Sequence, residues 1–140
     1  MDALEKLRSL GQSAPSLVAS PSEEDVRNAE EKLGVKFPPS FITYQLEYAD
    51  LTYGSFEPYL RIEDGSHLDL VNSVSEARAY GLPQHLLPFV EDNGDYYCFD
   101  LATKAPEYKV RYWSHDGATD ESWESFLDWV ETCWIGEESQ

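Results

Sequence analysis

The sequence predicts an α+β fold, with helices packed against an antiparallel sheet of about four to six strands. Three observations predict it. Apolar residues recur at helical spacing through the first third of the chain, alternate with period two from Tyr53 to Trp113, and return to helical spacing near the C-terminal end. Within the alternating part, Asn93-Gly94 stands between two apolar runs, which is the strongest short-range signal for an antiparallel hairpin.

The elements follow in order. "ALEKLRSLG" places Leu4, Leu7 and Leu10 along one side of a short helix, with Gly11 as its stop, and "QSAPSLVASPS" reads as a linker. In "SEEDVRNAEEKLG", Ser22 is a capping residue with Asp25 three positions on. Val26, Ala29 and Leu33 form a stripe, and Gly34 suits the left-handed position after a helix. "VKFPPSFITYQLEYA" continues as a second helix, with Pro39 in its first turn and an end near Ala49. Strands are expected at "PYLRI", "LDLV", "LLPFV", "DYYCFDL" and "YKVRYW", interrupted by a brief helix at "SVSEARAYG". The last element, "ESWESFLDWVETCW", sets Trp123, Phe126, Leu127, Val130 and Trp134 on one helical face directed at the sheet.

A chain of 140 residues is the size of one domain. The motif-bearing part runs from about residue 22 to 134, after an N-terminal helix and linker over 1–21. Four Trp, nine Tyr and six Phe argue for a packed core despite a net charge of -17, because disordered chains are poor in aromatics. "MDALEKLRSL" has no apolar leader region and no stretch approaches membrane-spanning length, so a cytoplasmic protein is expected. Cys98 and Cys133 form no C-x-x-C pair and read as reduced core thiols. Residues 1–49 hold eight acids and five Lys or Arg, whereas residues 112–140 hold eight acids and no Lys or Arg. Such a surface repels nucleic acid and anionic membranes and attracts basic proteins.

The carboxylate-rich stretch "LPFVEDNGDYYCFDL" invites three chemistries. With Gly94 as the sixth residue of a calcium loop, the first ligand position falls on Phe89, which cannot bind a cation. A hairpin fits better, with Val90 facing Tyr97, Phe89 facing Cys98 and Asp92 opposite Asp95 at the tip. An acid/base reading of Asp92, Asp95 and Asp100 has no nucleophile or histidine base beside it. His67, His85 and His115 lack metal-ligand spacing, and no phosphate-binding glycine motif occurs. No cofactor, metal or enzyme activity is expected.

On the last helix Glu121, Glu124, Asp128 and Glu131 share one stripe opposite the tryptophans, continuing from Asp116 and Asp120 in the preceding loop. Like charges at this spacing repel by roughly 0.2–0.5 kcal/mol per pair, so no local rule favours the stripe. It reads either as a docking face for a basic partner or as an ordinary solvated face.

Four stretches, taken in order, resemble the SUKH superfamily, the Smi/Knr-type domain of fungal cell-wall-assembly regulators and bacterial toxin immunity proteins. "EEKLGVKFPPSF" is similar to its E-x-x-L-G-x-x-x-P signature and "LLPFVEDNGDYYCFDL" to its P-F hairpin with a G-D-x-Y-x-x-D strand. "YWSHD" and "SWESFLDWV" look like its aromatic-x-His-Asp strand end and closing helix. After the second helix "YADLTYGSFEP" replaces the glycine-rich turn usual in the family. The resemblance implies a non-enzymatic protein that neutralises a cognate toxin domain, a basic one such as a nuclease, or else a regulatory scaffold. Charge patterning alone selects Asp116, Asp120, Glu121, Glu124 and Asp128 as partner-binding candidates, with Asp92 and Asp95 as second choices.

Overall fold

Asp2 accepts a hydrogen bond from the Glu5 N–H and so starts α1 (Ala3–Leu10), which buries Ala3, Leu4 and Leu7 but leaves Leu10 exposed. The computed structural model describes residues 2–13, 22–48, 51–52, 70–92, 95–114 and 117–136. Gln12–Ser13 forms β1, which pairs with β2 (Leu51–Thr52), so the expected linker begins as a strand. The rest of that linker, through Pro21, lies outside the described residues.

α2 (Glu23–Leu33) opens with the expected capping box between Ser22 and Asp25, and ends at Gly34 with φ 70, a left-handed angle that favours glycine. The Gly34 and Val35 N–H groups both donate to the Glu30 carbonyl. The Glu30 side chain turns inward, only 9% of the residue remaining accessible, and accepts the Phe37 N–H at 2.8 Å. These bonds set the entry to α3 (Pro39–Glu47), which stops with Tyr48 as its cap. Pro38 gives α3 no side-chain cap. Glu107 supplies one from the connection between the second and third strands of the main sheet, accepting from both the backbone N–H and the hydroxyl of Ser40.

α4 spans Leu70–Ala79. Leu70 and Val71, expected in a strand, are therefore helical. Leu70, Val74 and Ala77 stand at i, i+4 and i+7, and a short apolar run carries no period of its own to distinguish helix from strand. The expected strand "PYLRI" lies outside the described residues.

The main sheet is a four-stranded antiparallel meander of β3 (Leu86–Asp92), β4 (Asp95–Asp100), β5 (Lys109–Ser114) and β6 (Gly117–Trp123). Val90 faces Tyr97 and Asp92 faces Asp95 as expected, but Cys98 faces Pro88 instead of Phe89. A bulge between Pro88 and Val90 makes the difference. Pro88 has no N–H to give the ladder, and the extra residue lets consecutive Phe89 and Val90 both enter the main core. Phe89 stacks on Phe99 with ring centroids 4.4 Å apart.

Both sheet faces are covered. On one, Phe99, Phe89 and Tyr97 meet Phe41 and Tyr44 of α3 and the C-terminal aromatics Phe126, Trp129 and Trp134. On the other, Leu86, Tyr96, Cys98 and Trp113 cluster with Ala77 of α4 and Leu82. Alternation along β4 sends Tyr96 and Cys98 one way, Tyr97 and Phe99 the other.

The last helix starts later than its spacing suggested. Glu121 and Trp123 belong to β6, with Trp123 opposite Val110 and its ring 5.6 Å from that of Tyr97. Ser125 caps α5 (Phe126–Trp129) by accepting the Asp128 N–H. A π-helix, Val130–Ile135, continues it. In an α-helix a residue five positions on points about 140° away. The wider π turn brings Ile135 round to the buried side with Val130, Cys133 and Trp134. α1 lies across this segment, where Lys6 pairs with Glu131. Arg8 reaches the Glu47 carbonyl and stacks over the Tyr48 ring at 4.7 Å.

Candidate partner-binding surface

The acids singled out by charge do not share a helix face. In the meander, the β3–β4 and β5–β6 connections fall at the same end of the sheet, and β6 runs from there to the opposite end, where α5 begins. Asp92 and Asp95 stand at the first end. Asp120 and Glu121 lie along β6, outermost of the four described strands, and Glu124 and Asp128 stand at the far end. Of the stripe expected on one helix only Glu121 lies on β6; Glu124 and Asp128 follow at the turn into α5, and Glu131 stands on the π-helix. Asp116 lies outside the described residues, between the paired Ser114 and Gly117. The side chains of Asp92 and Asp120 are also outside them.

The candidates differ in what else they do. Glu121 is exposed on β6, at the register shift opposite Arg111–Trp113, where its N–H donates to Thr119 Oγ1 at 3.3 Å. That hydroxyl in turn donates to the Tyr112 carbonyl at 2.7 Å. Glu124 is 81% exposed at its side chain and approaches Lys109 Nζ at only 3.7 Å, a contact that solvent largely screens. Asp128 is half-buried, and its Oδ2 accepts the Glu124 N–H at 3.1 Å, so it helps Ser125 close the start of α5. Asp95 is half-buried and accepts the Tyr112 hydroxyl at 2.8 Å, which turns its carboxylate along the sheet. Glu131, the last member of the expected stripe, is tied to α1 through Lys6. The cations that answer these acids come from distant parts of the chain, so a scan of residues 112–140 could not find them.

Asp95 and Asp100, two of the three acids with a conceivable acid/base role, hold hydrogen bonds within the sheet and its turns. Asp100, almost wholly buried, accepts Arg111 Nε at 2.6 Å and the Ala102 N–H at 3.0 Å, fixing the turn that leaves β4. Burial pushes the Cys98 thiol far above its ordinary range, and nearby Asp100 adds to the effect, while Arg78 opposes it. The thiol stays protonated at neutral pH and is a poor nucleophile. Both cysteines are buried, and neither is in a disulfide among the described residues. Among the described residues no group of three or more His, Cys, Asp or Glu is placed to hold a metal ion. Nor is any helix among them long and apolar enough to cross a membrane.

These features define an α+β protein in which helices from both ends of the chain close over one face of an antiparallel meander. The SUKH family described as SMI1-KNR4 cell-wall matches residues 1–135. The chain belongs to that family, which is generally non-catalytic. It is also similar to a protein from Pseudomonas syringae pv. tomato known from a crystal structure. The two are 31% identical with a TM-score of 0.81 over 96% of this chain and 97% of the other. No curated protein matches the sequence.

The family signature now has a physical account. In E-x-x-L-G-x-x-x-P, Glu30 supplies the carboxylate that receives Phe37 N–H, Leu33 packs against the core, Gly34 takes the left-handed turn and Pro38 precedes α3.

Proposed function

We propose that this protein is an immunity protein, acting in the cytoplasm, that binds and neutralises a cognate polymorphic or contact-dependent toxin domain. The partner is basic, a nuclease being the type that fits best, and it docks on the acidic edge formed by β6 and the start of α5. Membership of the SUKH family, whose proteins commonly serve as toxin immunity proteins, carries the reading. The charge supports it, because residues 112–140 hold eight acids and no Lys or Arg. A catalytic cleft of a nuclease is positive to hold phosphates, and an acidic protein surface can be steered to it and cover it.

Within that edge Glu121 and Glu124 are the principal contacts, being exposed and held by little else. Asp116, Asp120 and Asp92 are further contacts in this proposal, chosen on charge alone. Asp95 and Asp128 contribute charge while keeping their internal hydrogen bonds. Recognition is between protein surfaces and requires no cofactor.

A regulatory scaffold is the second reading, favoured by the cell-wall description of the matching family. Co-expression separates the two. The toxic C-terminal domain encoded by the gene immediately upstream is produced with and without this protein, and host survival and co-purification are scored. Rescue with a stable complex supports immunity. Death of the host with no complex removes that toxin as the partner and leaves the scaffold reading ahead.

A further inference from the structure

We draw no further inference here: the strongest candidate, the outer edge of β6 with the acidic turn leading into α5, belongs to the surface already described, and nothing in the structure shows what covers it.

Discussion

Glu30 shows how much one side chain decides. Its carboxylate receives the Phe37 N–H in a buried position, and its carbonyl receives both Gly34 and Val35, so a single residue closes the turn between α2 and α3. Glu30→Ala leaves a buried donor without a partner, and the expected cost is about 1–3 kcal/mol, read from urea unfolding. Cys98 gives a prediction in pH. Burial raises its thiol, and also the Tyr96 hydroxyl, above their ordinary values of 9.0 and 10.0, so the folded protein holds these protons more tightly than the unfolded chain. That contribution is complete below about pH 9 and is lost as pH rises, from about pH 9 for Cys98 and from about pH 10 for Tyr96. Thermal melts from pH 7 to 10.5 should show Tm falling above pH 9, with a shallower fall in Cys98→Ala; parallel curves for the two proteins would refute the assignment. At this scale much was legible. Ser22, Asp25 and Gly34 act within a few residues of themselves, whereas the partners of Glu30 and Asp100 depend on how the chain turns back.

At the scale of elements, the start of α5 is the instructive case. Trp123 and Phe126 are three apart and both face the main core, so helical spacing ran on into what is strand β6. The sequence did carry a competing signal in Ser125-x-x-Asp128, a helix-start pattern that stops the helix short of Trp123. Ser125→Ala should cost about 0.5–2 kcal/mol by the loss of this cap. Hydrogen exchange would place the effect, with faster exchange expected at Asp128 and the first turn of α5 and little change in β3. α3 has its cap supplied from afar by Glu107, a relation that no local pattern encodes. A double-mutant cycle of Ser40→Ala and Glu107→Ala should give non-additive losses, because the two changes remove one shared interaction. Additive losses would mean that the bond between the Ser40 hydroxyl and Glu107 contributes nothing. The bulge at Phe89 was hidden for a related reason: Pro88 announces a ladder defect but not which neighbour is the extra residue.

At the scale of the whole molecule, the antiparallel sheet and the helices around it were legible because aromatic and apolar periodicities are long and agree with one another. The acidic edge was legible only as charge. Composition marked residues 112–140 as anionic, but the place of each carboxylate follows from strand β6, which the spacing did not reveal. The geometry also decides how to test the surface. Reversing Asp128 would remove a hydrogen bond at the start of α5 and confuse folding with binding. Glu121→Lys combined with Glu124→Lys avoids this, since one residue is exposed on a strand edge where lysine is well tolerated and the other makes only a long contact with Lys109. The double variant should keep the wild-type Tm to within a few degrees while its association with a basic toxin domain slows by about tenfold at low salt. Its rate should also depend less on ionic strength, because fewer opposite charges remain to be screened. Stopped-flow association across a salt series measures both quantities on one preparation. If rate and salt slope match the wild type while the complex still forms, recognition uses another surface, and the acids along β6 are a solvated edge that discourages strand-to-strand aggregation.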